Sequence, residues 1–125
     1  MKPGRSTLAL FIVLVLLFVF IYKRWQEPGR KEAFNRHPDK LYFTKHASCR
    51  MNCRHISRED IEEILEKGVI NYNKSKKYDR PCPTFAVQGT TDDGEHLRVI
   101  FAQCRNETKI ITCYNLDEDF TCNCP

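Results

Sequence analysis

The longest apolar run in the chain lies near its beginning. Residues 6–22 form an uncharged stretch of 17 residues, most of them aliphatic or aromatic. A helix needs about 20 residues, with about 17 as the lower limit, to cross the hydrocarbon core of a bilayer. The basic and aromatic residues at 23–25 suit the interface that follows. The pattern therefore predicts a transmembrane anchor over residues 1–25, in contact with membrane lipid through residues 6–22.

A cleaved signal peptide is the alternative interpretation of this run. Lys2 and Arg5 form the basic start that such peptides have. A cleavage site requires small residues, whereas the run is followed by Lys-Arg-Trp-Gln-Glu-Pro. The sequence therefore favours an uncleaved anchor.

The apolar pattern resumes near residue 41. Residues 26–40 contain two prolines, a glycine and mixed charge without apolar periodicity, which predicts a linker. We expect the folded domain over residues 41–125.

Two helices are predicted at the start of the domain. Residues 45–54 can form a short helix, and Ser57 with Asp60 resembles a capping box that opens a second helix over residues 58–67. Three apolar side chains share one face of the second helix, and Gly68 ends it: Ile61, Ile64 and Leu65.

Strand patterns fill the second half of the domain. Candidate strands lie at residues 69–71, 84–89, 96–103 and 108–114. Residues 73–80 are a polar, basic loop candidate, and Asp93-Gly94 predicts a two-residue hairpin turn. Helices followed by an antiparallel meander predict an α+β domain, with two helices packed on a sheet of three or four strands.

Charge narrows the function classes. The net charge is +4, and four basic residues flank the apolar run, so the rest of the chain has equal numbers of basic and acidic residues. A neutral domain lacks the broad positive field that drives indiscriminate nucleic-acid binding. The charge is uneven, because residues 40–80 carry ten basic and six acidic residues, and residues 81–125 carry three and seven.

The cysteines indicate cross-linking. All seven follow residue 48, a density unusual in a reduced cytosolic domain. Cys49 and Cys53 lie about one helical turn apart, and Cys122 and Cys124 project to one side of an extended tail. If they converge, they form either two disulfides or a zinc site of four thiolates. Disulfides are favoured for a domain outside the cytoplasm, and no cofactor other than zinc is expected.

The other three cysteines have different expected roles. Counting back from a two-residue turn places position 83 opposite 104, so Cys82 and Cys104 are expected near each other at the hairpin base. Cys113 remains and is expected to be a small buried side chain.

Two physical arguments disagree on membrane orientation. Basic residues are more numerous after the apolar run than before it, which favours a cytoplasmic domain. The seven cysteines and the short stretch before the run favour a domain outside the cytoplasm. We expect a single-pass membrane protein with its domain on the outer side.

Three short motifs occur in order along the domain. Residues 46–57 follow the pattern His-Ala-x-x-Arg-Met-x-x-Arg-x-Ile-Ser, and Ile-Leu-Glu-Lys-Gly at 64–68 and Ile-Ile-Thr-Cys-Tyr at 110–114 come after it. This series, over roughly residues 42–114, resembles the family catalogued as domain of unknown function 4258. The chain is similar to a membrane-anchored, cysteine-bearing branch of that family.

The resemblance implies a fold shared with the barnase, EndoU, colicin and RelE-like ribonucleases. Members of that group place one or two helices before a four-stranded antiparallel sheet. The chain differs from the common soluble members of the family in its anchor, its cysteine pairs and its Cys-x-Cys tail.

A metal-independent ribonuclease is one functional reading of this resemblance. His46, Arg50 and Arg54 are spaced to share one helical face. An imidazole would move the 2′-hydroxyl proton, and the guanidinium groups would hold the phosphate. Thr112, in the strand that matches the family's last motif, would add a hydroxyl.

A structural role is the alternative for the same residues. Histidine and arginine on a short helix commonly pair with acidic side chains or hydrogen-bond the end of a strand. A tethered, neutral, cross-linked domain with an acidic second half therefore predicts a non-catalytic binding or structural module. RNA is a partner only under the ribonuclease reading.

Overall fold

The chain forms two separate units. The structure, a computed structural model, describes residues 4–26 and 34–125. Helix α1 (Arg5–Gln26) belongs to the first unit, and the second begins at Phe34 and ends at Pro125. Residues 1–3 of the predicted anchor and residues 27–33 of the predicted linker lie outside the described residues.

Helix α1 exposes all of its large apolar side chains. Within residues 5–25 an 18-residue stretch has a mean hydropathy of 2.5, and none of that stretch is buried. Exposed apolar surface of this extent is unfavourable in water and favourable in a bilayer. The helix is a candidate membrane anchor or signal sequence, with Lys23 and Arg24 in its last turn, where cations suit the helix dipole.

The second unit is an α+β domain, as predicted. Its elements are β1 (Leu41–Phe43), α2 (Lys45–Cys53), α3 (Arg58–Lys67), β2 (Val69–Lys76), β3 (Thr84–Thr90), β4 (His96–Gln103) and β5 (Thr108–Asn115). The sheet order is β1-β5-β4-β3-β2, with β1 parallel to β5 and the other pairs antiparallel. The sheet therefore has five strands, whereas the sequence predicted three or four. The prediction missed β1 because a strand of three residues is too short to show periodicity.

Two local predictions were wrong. Strand β2 extends to Lys76, so the expected loop from residue 73 is shorter. The hairpin between β3 and β4 closes with three residues, 92–94, because the Thr91 amide donates to the Glu95 carbonyl and Thr90 pairs with His96. Gly94 has a φ of 89°, which glycine adopts readily. The extra turn residue shifts the register by one position, which places residue 82 opposite residue 104.

The ends of α3 have separate physical causes. The predicted capping box is confirmed, since Ser57 Oγ accepts from the Asp60 amide and the Asp60 carboxylate accepts from the Ser57 amide. Gly68 ends the helix in an extended conformation, so positive φ does not explain the glycine. A Cβ there would lie 2.5 Å from the Ile64 carbonyl oxygen and 2.6 Å from Val87 Cγ1. Glycine is needed because α3 passes so close to β3.

Both domain helices pack on one face of the sheet. The fully buried core combines Ala47 of α2 and Ile61 and Ile64 of α3 with strand residues, among them Val87, Leu97, Val99, Phe101, Ile110 and Cys113. Phe34 lies edge-on against Phe85 and Phe101, with ring centroids 5.2 and 5.9 Å away. The Arg36 guanidinium donates to the carbonyls of Leu65 and Glu66 at the end of α3. The residues just before β1 therefore contact the domain.

Candidate functional site

Helix α2 is attached to β5 at both of its ends. At its start the Thr44 hydroxyl donates to the Ile110 carbonyl at 3.0 Å and accepts from the Ala47 amide as the helix N-cap. At its end the Arg54 guanidinium donates to the Cys113 carbonyl. Strand β1 pairs with only the first three residues of β5, and Thr44 adds its side-chain bond at the last of these, Ile110. Arg54 bonds a carbonyl beyond them, on the edge that β1 leaves uncovered.

His46 and Arg50 lie together on α2. Arg50 Nε donates to His46 Nε2 at 3.4 Å, and His46 Nδ1 lies 2.9 Å from the Pro125 carbonyl oxygen. Because Nε2 accepts a hydrogen bond, the consistent neutral tautomer carries its proton on Nδ1 and donates it to Pro125. Both nitrogens of the imidazole are therefore occupied.

The other two candidate catalytic residues are placed differently. Besides its bond to the Cys113 carbonyl, the Arg54 guanidinium lies 4.9 Å from the centre of the Tyr114 ring, a cation–π arrangement. Thr112 is on β5, one residue before Cys113, so its side chain lies on the face opposite to the core. Among the described residues no hydrogen bond joins Thr112 to His46, Arg50 or Arg54. A hydrogen bond therefore joins two of the four candidates, His46 and Arg50.

The C-terminal tail is joined to α2 by two disulfides. Cys49 is bonded to Cys124, with Cα atoms 5.8 Å apart, and Cys53 to Cys122, with Cα atoms 5.9 Å apart. Both distances fall in the usual disulfide range. Of the two alternatives for these four cysteines, the structure has the disulfides. Bonded sulfurs are not the thiolates that zinc requires, and within residues 4–26 and 34–125 no cluster of metal-ligating side chains occurs.

The remaining cysteines also have defined roles. Cys82 and Cys104 form a third disulfide at the base of the β3–β4 hairpin, with Cα atoms 5.1 Å apart. Cys113 is a buried free thiol in the core. Burial raises the pKa of its thiol to about 11, although Arg54 and Arg50 nearby act in the opposite direction. At neutral pH the group is a protonated thiol, which is a poor nucleophile.

A shallow cavity lies beside the candidate residues. It has a volume of about 310 Å³ and is lined by Phe43, Ser48, Met51, Asn52, Ile56 and Arg58. The Arg58 guanidinium lies 4.8 Å from the centre of the Phe43 ring. His46, Arg50 and Arg54 do not line this cavity, so it provides them with no enclosed substrate site.

The contact between His46 and the tail was missed by the sequence analysis. Its signal was present, because His46 is three residues before Cys49, about one helical turn away. A tail bonded to Cys49 has to pass close to His46. The partner of His46 is a backbone carbonyl, that of Pro125, and a motif of side chains does not reveal a backbone partner.

A family description, domain of unknown function (DUF4258), matches residues 43–115, which is more than half of the chain. The chain belongs to this family. No curated protein and no solved structure matches it. The DUF4258 description carries no activity, so the function of this domain has to be argued from its own side chains.

We predict that the two tail disulfides stabilise the DUF4258 domain more than additively. Either bridge alone closes a loop of about 70 residues, but with the other intact it closes only about six. Removing one pair, by Cys49→Ser with Cys124→Ser, is expected to cost about 2 kcal/mol. Removing both pairs is expected to cost about 6 kcal/mol.

Denaturant unfolding of the detergent-solubilised full chain without reductant measures these free energies. Peptide mapping of the same samples provides the control on pairing. The prediction would be contradicted if removing both pairs cost only the sum of the two single removals, or if these positions held four alkylatable thiols.

We predict a second effect, of pH, from Cys113. An unfolded thiol ionises near pH 9, whereas the buried thiol stays protonated up to about pH 11. The unfolded state therefore binds fewer protons between these values, and stability is lost as the pH rises through this window. Between pH 8 and pH 10.5 the loss from this group is about 2 kcal/mol.

The variant Cys113→Ala lacks this component, so its free energy of unfolding should fall less over the same pH interval. Samples quenched in acid and mapped after each measurement show whether the disulfide pairs are intact. If the free energy of unfolding fell equally with pH in the two proteins, the thiol would not be shielded in the folded state and the prediction would be wrong.

Proposed function

We propose that this chain is a membrane-anchored DUF4258 protein whose domain acts outside the cytoplasm as a non-catalytic binding module. In this proposal residues 1–25 anchor the protein, residues 26–40 link anchor and domain, and residues 41–125 form the module. Two residues of this linker, Phe34 and Arg36, contact the module.

One observation carries this proposal: the side chains of His46, Arg50 and Arg54 are engaged in contacts within the domain. A general base needs an imidazole nitrogen free to accept a proton, and both nitrogens of His46 are hydrogen-bonded. A phosphate site needs guanidinium donors aimed at an open space. Arg54 instead donates to the Cys113 carbonyl and lies over the Tyr114 ring. These contacts hold α2, β5 and the tail together.

The disulfides support the location. Six of the seven cysteines are paired, and such bonds persist in oxidising compartments. The basic residues that follow α1 argue for the opposite side by the positive-inside rule. We give more weight to three disulfides than to the charge difference, because reduction would release the tail.

A metal-independent ribonuclease of the RelE and barnase-like class is the second candidate. One observation favours it: His46 and Arg50 are hydrogen-bonded to each other. In a ribonuclease the general base and the group that binds the phosphate would have to be near neighbours in the same way. The other imidazole nitrogen, Nδ1, is hydrogen-bonded to the tail. Under this reading the tail would have to leave before RNA could approach.

We predict that a reporter enzyme active only outside the cytoplasm will be active when fused after Pro125. A reporter active only in the cytoplasm, fused at the same position, serves as the control and should be inactive. The fusion should remain in the membrane fraction at its full, unprocessed length, because α1 lacks small residues at its end. A soluble, shortened product would identify α1 as a signal sequence, and the reverse reporter pattern would place the domain inside.

We also predict that the oxidised full chain will not cleave RNA. Single-stranded and structured RNA incubated with the detergent-solubilised protein should remain as intact as with His46→Ala. Lys45→Ala, at the exposed neighbouring position, controls for a general loss of charge on α2. Cleavage that is abolished by His46→Ala and kept by Lys45→Ala would establish the ribonuclease, whether it occurs before or only after reduction of the disulfides.

A further inference from the structure

A second cluster of polar chemistry lies away from α2. Residues 72–80, here named the basic segment, run from the second half of β2 into the following loop. They contain four cations and two tyrosines, all exposed: Lys74, Lys76, Lys77, Arg80, Tyr72 and Tyr78. The Tyr78 side chain is 87% exposed.

The cations of the basic segment have no acidic partner in the described part of the chain. None of the four takes part in an ion pair there. The one acid of the segment, Asp79, accepts from the Arg80 amide at 3.1 Å and from the Thr84 hydroxyl at 3.4 Å. Lys77 Nζ lies 5.7 Å from the centre of the Tyr78 ring. The segment therefore presents unneutralised positive charge beside aromatic rings.

The sheet fixes the backbone of residues 72–76, the β2 part of the basic segment. Asn71 pairs with Ala86 and Lys76 with Thr84, so residues 72–75 lie opposite the single residue Phe85. The Ser75 hydroxyl holds this bulge, because it donates to the Asn71 carbonyl at 2.7 Å and accepts from the Ala86 amide at 2.9 Å. A preorganised segment loses little conformational entropy when it binds.

We propose that the basic segment binds the anionic headgroups of the bilayer in which the chain is anchored. This inference rests on the membrane anchor of the proposed function, and it requires anionic lipid in the leaflet that faces the domain. Lysine side chains are attracted to anionic lipid surfaces, and tyrosine favours the interface, where its ring meets apolar matter and its hydroxyl meets water. The basic segment combines both residue types on one bulge.

The covalent chain favours a bilayer over RNA as the partner. Residues 27–33 separate the two units, and a chain of that length reaches no more than about 30 Å. An anchored domain therefore meets the lipid surface at a high effective concentration, which multiplies weak contacts. RNA has no such tether, and the neutral domain lacks the broad field that would attract it.

A single tryptophan reporter in the full chain tests this proposal. Trp25 is the only tryptophan, so Trp25→Phe combined with Tyr78→Trp leaves one fluorophore, in the basic segment. The protein is placed in nanodiscs of brominated phosphatidylcholine with or without 30% brominated phosphatidylglycerol. We expect a blue shift and quenching only with phosphatidylglycerol, both reversed at high salt.

Two charge variants complete the design. Replacing three lysines of the segment, by Lys74→Gln, Lys76→Gln and Lys77→Gln, should reduce quenching to the level without phosphatidylglycerol. Each lost charge weakens surface binding roughly fivefold, so three weaken it about a hundredfold. The matched control removes three exposed charges elsewhere, by Lys40→Gln, Lys45→Gln and Arg105→Gln, and should leave quenching unchanged.

The outcomes separate this inference from the anchor on which it rests. Co-elution of protein and nanodiscs without quenching overturns lipid binding by the segment and leaves the anchor intact. Failure to co-elute overturns both. Equal loss of quenching in the two charge variants, or a fluorescence response to RNA and not to phosphatidylglycerol, also overturns the assignment.

Discussion

The free edge of β5 is the constraint on which the rest of the domain depends. Strand β1 covers only three residues of that edge, and buried carbonyls beyond it require partners. Beyond β1, Arg54 at the end of α2 bonds the Cys113 carbonyl, while Thr44 at the start of α2 adds a side-chain bond to the Ile110 carbonyl, at the last position that β1 covers. An unpaired buried carbonyl costs about 1–3 kcal/mol, so the Arg54 contact holds the end of α2 against β5. The position of α2 in turn sets where the two disulfides can hold the tail.

The same contacts underlie the structural role that we propose for residues of a catalytic type. Arg54 bonds the strand edge, Arg50 orients His46, and His46 reaches the Pro125 carbonyl. These interactions form a continuous path from β5 through α2 to the tail. In the proposed binding module, side chains engaged in this way neither move a proton nor bind a phosphate. The family membership of the chain therefore does not by itself imply chemistry at these residues.

The disulfides compensate for a tail that has little else to hold it. Residues 116–125 include only Leu116 and Phe120 as large apolar side chains, and they carry three consecutive acids. Phe120 packs near His55, with ring centroids 6.2 Å apart, but most of the tail is exposed. Burial of so little apolar area does not offset the entropy of ordering ten residues. Cross-links to α2 supply the difference by restricting the unfolded chain.

Local patterns were enough to predict α3, its capping box, the three long strands and the α+β class. Each depends on neighbours within a few residues: apolar side chains three or four apart, or an oxygen three residues from an amide. The convergence of Cys49 and Cys53 with the tail was also open to prediction, although not the choice between disulfides and zinc. That choice depends on sulfur-to-sulfur distances, which spacing along the chain does not determine.

Tertiary structure alone decided the pairing of β1 with β5, the three-residue turn that sets residue 82 opposite 104, and the reason for Gly68. The three-residue β1 gains its strand character from a partner more than sixty residues away. Gly68 is required by the close passage of α3 over Val87, not by its own backbone angles. The sequence did not determine the hydrogen-bond partners of His46 and Arg54, for the same reason. Side-chain type and spacing define what a residue can do, but only packing determines which backbone carbonyl it meets.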